Sequence, residues 1–247
     1  MNDSQPEPVS SNEKVRRWLS NKRSTWMVAA AALVVVIGLS VGLVVSGSSS
    51  PNTSVPGRDT SASGALGSNA RSAPATGGAA GAISEISKSG LTLKTSAGQT
   101  VTVTYSNATK YDEGTKSISS SSLKVGEDVL VYGTTSNTTI GASQVIVELP
   151  GSSMFVTSSA VISFTRGAPT DLKAVGEIPA GWTQGSGTIV GGTSADEATE
   201  AALEKYPGGI VDRVVRLSNG QYNVHYIGVN WPHHIFVNQD FKVVGAE

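Results

Sequence analysis

The feature that most constrains the fold of this chain is a run of twenty uncharged residues, WMVAAAALVVVIGLSVGLVV, at positions 26–45. At 1.5 Å rise per residue, a helix of this length covers about 30 Å, the thickness of the hydrocarbon core of a bilayer. No neighbouring stretch is apolar enough to surround a helix that is hydrophobic on every side, so a buried core helix is disfavoured. The sequence therefore predicts a single transmembrane helix over 26–45.

Basic residues set the orientation of this predicted span. Arg58 is the first basic residue after it, whereas five precede it: Lys14, Arg16, Arg17, Lys22 and Arg23. Cytoplasmic flanks carry the excess of Lys and Arg, so residues 1–25 are predicted to be a cytoplasmic tail, and the remainder to lie outside the cytoplasm at the cell membrane. A cleaved secretory signal is the alternative, but its apolar region is normally about 7–15 residues long and no A-x-A site follows Val45.

Composition limits what the remaining residues can form. Only 38% of the chain is hydrophobic and much of that lies in the apolar run, so any folded core is small. The absence of cysteine excludes disulfide frameworks, thiolate zinc sites, a cysteine nucleophile and a lipid-bearing cysteine. Residues 46–81 are rich in Gly, Ser and Ala and are predicted to be a disordered linker.

Short alternating runs separated by turn residues fill positions 82–149, among them LTLKT, TVTVTY and DVLVYG. Strands at this spacing predict a small β-barrel. The segments GAISEIS, LKVGEDVLVYG and IGASQVIVEL resemble a bacterial family of extracytoplasmic domains of unknown function, and this resemblance implies an OB-like barrel. Nucleic-acid binding by such a barrel needs a basic groove and aromatic stacking platforms. Neither pattern is present and the formal charge is −1, so no nucleic-acid partner is predicted.

Residues 150–191 contain many Pro and Gly and are predicted to be an irregular connector. The stretch GTSADEATEAALEKYPGG then predicts a helix over about 195–206, which the following Pro and Gly residues end. Ser194 and Glu197 have the spacing of a capping box. The buried stripe of this helix is predicted to be Ala195, Ala198, Ala202 and Tyr206.

Four runs after the helix, IVDRVVRL, QYNVHYIGV, HHIFV and FKVVGAE, predict an antiparallel sheet, and so an α+β domain at 192–247. ADEATEAALEKYPGGIVDRVVRL, NGQYNVHY and IFVNQDFKVVGAE resemble the PepSY domain. PepSY domains occur in propeptides of secreted metallopeptidases and in bacterial envelope proteins, and are thought to bind or restrain peptidases. The resemblance therefore implies an extracytoplasmic peptidase or another envelope protein as partner.

Together these inferences predict a fold class. It is a single transmembrane helix plus two small extracytoplasmic domains: an all-β OB-like barrel at 82–149, then an α+β domain with one helix packed on an antiparallel sheet.

All three histidines of the chain lie in VHYIGVNWPHHIFV, at positions 224–237. A hairpin centred between Val229 and Asn230 places His225 opposite His234, with β-carbons about 4.5–5.5 Å apart. Two histidines fall short of the three or four protein ligands of a zinc site, so no metal or cofactor is predicted and His225 and His234 are only weak metal candidates. Their face of the sheet is predicted to be partly exposed and to form the candidate partner surface: Asn223, His225, His234 and Phe236.

The sequence contains no G-x-S-x-G, H-E-x-x-H, Walker or dinucleotide fingerprint. Its acidic run, Asp196, Glu197, Glu200 and Glu204, suits the first turns and solvent face of a helix. We therefore expect a non-enzymatic, membrane-anchored bacterial envelope protein that presents protein- or peptide-binding modules. Alternatives are an inhibitor-like modulator of an extracytoplasmic peptidase and a structural protein that contacts the cell wall; an enzyme is the least favoured.

Overall fold

The structure is a computed structural model that describes residues 74–168 and 173–247. These residues are mostly β-structure, with one α-helix, α1 (Thr193–Lys205). The first seven strands are β1 (Ala75–Ile86), β2 (Gly90–Lys94), β3 (Thr100–Thr104), β4 (Lys110–Glu113), β5 (Lys116–Ser117), β6 (Asp128–Ser136) and β7 (Thr139–Val147). The others are β8 (Ile162–Ser163), β9 (Val175–Gly176), β10 (Thr188–Val190), β11 (Ile210–Arg216), β12 (Tyr222–Ile227), β13 (Val229–Trp231), β14 (His234–Val237) and β15 (Val243–Ala246).

Five of the first seven strands close into a barrel in the order β1, β2, β3, β7, β6 and back to β1. All of these pairings are antiparallel except that between β3 and β7, which is parallel. Alternation of Thr and Val in β3 produces strictly alternating exposed and buried residues, because successive side chains point to opposite faces of a strand. The predicted β-barrel is therefore confirmed, and its interior holds Ile83, Leu93, Val101, Val131, Ile140 and Val145.

Strand β1 joins the barrel to the C-terminal sheet. One of its edges pairs with β6 over its first eight residues, while the other edge pairs with β11 at Gly78 and Ala79 and then with β2 from Ala82 onwards. Glycine is required here because the neighbouring backbones come very close. A Cβ atom on Gly78 would lie 2.3 Å from the carbonyl oxygen of Val131, and one on Gly77 would lie 2.1 Å from that of Val211.

This connection corrects the predicted fold class. Thirteen of the strands formed by the described residues belong to one hydrogen-bonded sheet, so the barrel and the C-terminal α+β unit are not two separate small domains. Residues 75–81, assigned to the linker from their Gly and Ala content, are the beginning of β1. A run of small residues is typical of an exposed linker, but in β1 the small side chains are buried and allow neighbouring strands to pack closely.

The C-terminal part of the sheet has the order β11, β12, β14, β15 and β9. Strand β10 pairs with the same edge of β11 as β1 does, next to the first residues of β1. Helix α1 packs against it through the predicted stripe of Ala195, Ala198, Ala202 and Tyr206, all buried, together with Thr199 and Leu203. The predicted cap is wrong. The helix begins one residue before Ser194, its N-cap is Gly192, and no side chain caps it.

The connector is less irregular than predicted. It supplies β8, β9 and β10, and its Ile178 and Trp182 pack on Val215, Leu217 and Phe236 to form a third small core. This core lies on the face of the sheet opposite α1, because residues alternate along β11 and Val214 faces the helix.

The predicted transmembrane helix at 26–45 lies outside the described residues, as do the cytoplasmic tail and the linker up to Ala73. Among the helices that the structure does describe, none is both long and apolar enough to cross a membrane.

Candidate functional site

The predicted hairpin between β12 and β14 has the expected register. Tyr222 pairs with Val237, Val224 with Ile235, and His225 with His234. The first two pairs belong to the core beneath α1, as predicted. Since Arg213 pairs with His225 on the other side of β12, a row of Arg213, His225 and His234 crosses three strands on the face opposite the helix.

A β-bulge in β11 adds a carboxylate to this row. Val211 pairs with Tyr226 and Arg213 with His225, so Asp212 is an extra residue in the strand. A bulge of this kind redirects the side chain at the extra position. The Asp212 carboxylate accepts a hydrogen bond of 2.6 Å from Nδ1 of His225 and one of 3.3 Å from Nη1 of Arg213. The alternating pattern of the sequence gives no sign of this contact, because it assumes a regular strand.

The predicted partner surface is largely covered. Residues 178–187, which we call the cover segment, cross this face, and the Trp182 ring lies 4.9 Å from that of His234 and 5.1 Å from that of Phe236, centroid to centroid. Asn223, His234 and Phe236 are 4%, 8% and 0% exposed, so only His225 of the four predicted residues keeps intermediate exposure. The difference from the prediction arises because a Pro- and Gly-rich connector carries one large aromatic side chain onto the sheet.

Three imidazoles lie close together, and that of His234 contacts the Trp182 ring of the cover segment. The ring centroid of His225 is 4.9 Å from that of His234 and 6.4 Å from that of His233. Nδ1 of His234 donates to the side-chain oxygen of Asn223 at 3.2 Å. Burial, aided by the neighbouring His225, Arg213 and His233, lowers the pKa of His234 to about 3. Burial also lowers the pKa of His225 and outweighs the opposing effect of Asp212.

The lowered pKa values of His225 and His234 favour neutral imidazoles, which form hydrogen bonds with Asp212 and Asn223. His225 and His234 are adjacent, as the weak metal hypothesis required. Within the described part of the chain, however, no group of three or more His, Cys, Asp or Glu side chains has the arrangement of a metal site.

The acidic run of α1 faces the barrel rather than only solvent. The hydroxyl of Tyr132, a buried residue of β6, donates to Oε2 of Glu200 at 3.1 Å. Burial and the nearby carboxylates of Glu200, Asp128 and Glu204 raise the pKa of Glu148 to about 7. Burial and the neighbouring acids of the helix likewise raise the pKa of Asp196 to about 6. Carboxylates of the helix thus lie close to Glu148, which directly follows β7.

A cleft of about 570 Å³ lies beside the cover segment. Its lining combines the cover segment, the start of β10 and the end of β11, and includes Pro179, Trp182, Thr188, Val190, Arg216 and Leu217. Arg216 is the charged residue of the lining, and it has no ion-pair partner among the described residues. The cleft therefore offers an indole ring, aliphatic surface and one cationic group.

The strand beside this cleft has one edge with which no other described strand pairs, and we call this its free edge. Within the described residues β10 pairs only with β11, through Thr188 with Arg216, Ile189 with Val215 and Val190 with Val214. Alternate residues of an antiparallel edge strand direct their N–H and C=O groups away from the partner strand. Ile189 is 38% exposed on this edge.

Comparison with known proteins gives one match. Residues 80–146 match a family described as a domain of unknown function (DUF5666), and this range covers most of the barrel. No curated protein and no solved structure matches the chain.

Proposed function

We propose that this protein is a non-enzymatic envelope protein, held at the bacterial cell membrane, that binds an extended polypeptide segment outside the cytoplasm. One observation carries the proposal: the free edge of β10 lies directly beside a cleft lined by Trp182 and Arg216. An extended peptide that adds a strand to a sheet edge gains affinity from backbone hydrogen bonds and specificity from adjacent side-chain pockets. The apolar run at 26–45 and its basic flank support the membrane placement.

The chemistry of the cleft favours a peptide with an apolar residue and a carboxylate. Trp182 and Leu217 provide apolar contact surface, and the planar guanidinium of Arg216 matches a carboxylate in a two-point hydrogen bond. Arg216 also pairs with Thr188 across the strands, so it stands on the strand adjacent to the proposed binding edge.

A peptidase modulator is the second candidate. It is favoured by the resemblance of residues 192–247 to the PepSY domain, and the free edge of β10 supports it because a protease binds its substrates as extended strands. In this form of the proposal the bound polypeptide belongs to an extracytoplasmic peptidase, and the protein acts by covering part of that enzyme.

The test is site-specific photo-crosslinking in living cells, with the crosslinker at Ile189 of the full chain. Val125 provides a matched control, because it is an aliphatic residue of the barrel that is 62% exposed and, unlike Ile189, does not lie on the strand whose Thr188 and Val190 line the cleft. We expect a discrete adduct from Ile189 and none from Val125, and identification of the adduct separates a peptidase from other envelope proteins. Equal adducts at both positions, or none at Ile189, would refute the proposal.

A charge reversal tests the carboxylate. Arg216→Glu should reduce the Ile189 adduct at least tenfold, because a repulsive contact replaces an attractive one. Arg166→Glu is the control, since Arg166 is exposed and does not line the cleft. An equal loss in both variants would indicate a general effect of net charge instead of a contact in the cleft.

A further inference from the structure

We propose that His234, which lies beneath Trp182, and the neighbouring His225 form an acid-operated gate on the cleft: protonation of His234, aided by that of His225, detaches the cover segment from the sheet and so removes one wall of the cleft. The inference rests on the proposed function in one respect, because the cleft is the site that the gate would regulate. The gate itself is a property of the fold and can be tested without a bound peptide.

Trp182 connects the two features physically. Its side chain lines the cleft and also lies against the rings of His234 and Phe236. The ends of the cover segment are held by strand pairing, through β9 to β15 and through β10 to β11. Between those ends, the backbone bonds from Trp182 N to Pro179 O and from Ser186 N to Thr183 O form turns within the segment. Packing of Ile178 and Trp182 is therefore the main contact of this segment with the sheet beneath it.

The charged and titratable groups around the row make an added proton costly while the cover is closed. Strand β11 contributes Asp212 and Arg213, β12 contributes His225, and His233 and His234 lie at the β14 end. On the other side of β14, the partly exposed Glu247 follows β15 and exchanges backbone hydrogen bonds with His234. The cover segment contributes the uncharged Trp182 and Ile178. Arg213 is only 3% exposed and already shares the Asp212 carboxylate with His225. Among the described residues, the ring of His234 has a hydrogen bond to the uncharged Asn223 and no ion pair. A cation formed there under the closed cover would be unpaired, and burial of an unpaired charge is strongly unfavourable. The imidazolium of His234 can form readily only when water reaches it, which requires the cover to lift from above it.

The direction of the pH effect follows from the lowered pKa values. His234 titrates at about 3 in the closed state and near its ordinary value of 6.5 when hydrated, so the open state binds more protons. The closed state is therefore fully stable above pH 6.5 and loses stability as the pH falls from 6.5 toward 3. At pH 5, one such histidine multiplies the opening equilibrium constant by about thirtyfold.

Hydrogen exchange of the full chain measures this opening equilibrium directly. We expect the protection factors of amides in residues 178–190, corrected for the intrinsic effect of pH on exchange, to fall about thirtyfold from pH 7.5 to pH 5.0. Amides of β3 serve as the internal control and should change much less, because β3 pairs with β2 and β7 within the barrel. Protection of 178–190 that does not change with pH would overturn the gate.

Variants assign the effect to the row. His234→Phe keeps an aromatic ring beneath Trp182 without a titratable group, and His225→Gln keeps a hydrogen-bonding group beside Asp212. Each variant should remove part of the pH dependence of protection in residues 178–190, and the double variant should remove most of it. If protection in the double variant falls as much as in the native chain, the gate is also overturned. Hydrogen exchange of the native chain tests the gate even if a variant does not fold. A fall in protection without any adduct at Ile189 would support the gate and refute the peptide-binding proposal, so the two can fail separately.

Discussion

The indole ring of Trp182 meets the imidazole of His234 edge-on, with centroids 4.9 Å apart and an interplanar angle of 61°. Through this contact a segment without regular structure becomes part of the core on the second face of the sheet. It also places the wall of the cleft directly above the buried His234. The contact thus links the stability of the fold to the shape of its candidate binding site.

Removal of the indole should expose that core. We expect Trp182→Ala to lower the free energy of unfolding by about 2–3 kcal/mol, because a large, partly buried aromatic side chain is lost above Phe236. Thr183→Ala is the control, since Thr183 is exposed. Urea denaturation of the full chain provides the measurement, and equal stability of the two variants would show that the cover segment contributes little.

Substitution in the shared strand should destabilise the barrel and the C-terminal sheet together. A methyl group on Gly78 would lie 2.3 Å from the carbonyl oxygen of Val131, so Gly78→Ala forces two strands apart. We expect a cost of about 1–3 kcal/mol. Gly141→Ala is the matched control, because the nearest atom to its added methyl group is 3.8 Å away. Thermal unfolding should remain a single transition in both variants; two separate transitions would contradict a joined sheet.

The close packing of α1 leaves no room for larger side chains. Ala202 is 0% exposed, so Ala202→Leu should cost about 1–3 kcal/mol, whereas the partly exposed Ala201 should accept Leu at lower cost. Ser194→Ala should change stability by less than about 0.5 kcal/mol, because no side chain caps the helix. Chemical denaturation tests all three variants. A loss of about 1 kcal/mol in the free energy of unfolding of Ser194→Ala would show that the Ser194 side chain caps the helix.

The carboxylate cluster between α1 and the barrel should give a pH dependence opposite in sign to that of the histidines. The pKa of Glu148 is raised to about 7, so its stabilising contribution is complete below its ordinary value of 4.5 and is lost as the pH rises through 7. Glu148→Gln should therefore gain stability relative to the native chain between pH 5 and pH 8, by on the order of 1–2 kcal/mol after allowance for its partial exposure. The denaturation midpoint at both pH values is the measurement, with Glu85→Gln on the exposed part of β1 as control. A constant difference between Glu148→Gln and the native chain at the two pH values would contradict the raised pKa.

Local patterns along the chain were sufficient for several elements. Alternating Thr and Val predicted β3, small residues at helical spacing predicted the buried stripe of α1, and the position of the hairpin turn predicted that His225 would face His234. Each of these depends on the periodicity of one element or on the pairing of two adjacent strands. Residues that are close together in the sequence are therefore enough to predict these features.

Long-range contacts decided the features that matter most for function. The pairing of β1 with β11 joins residues more than a hundred positions apart, and it turned a Gly- and Ala-rich stretch into a buried strand. A bulge brought Asp212 to His225, although a regular strand would not place it there.

The sequence by itself determined which segments form strands or a helix and which side chains of a hairpin oppose each other, because periodicity and turn residues act locally. Only the tertiary structure decided that Trp182 covers the histidine face and that β10 keeps a free edge beside a cleft. Both depend on where an irregular segment crosses a sheet formed by distant strands. Residues in such a segment have no repeating pattern, so their partners are fixed only when the whole sheet has assembled.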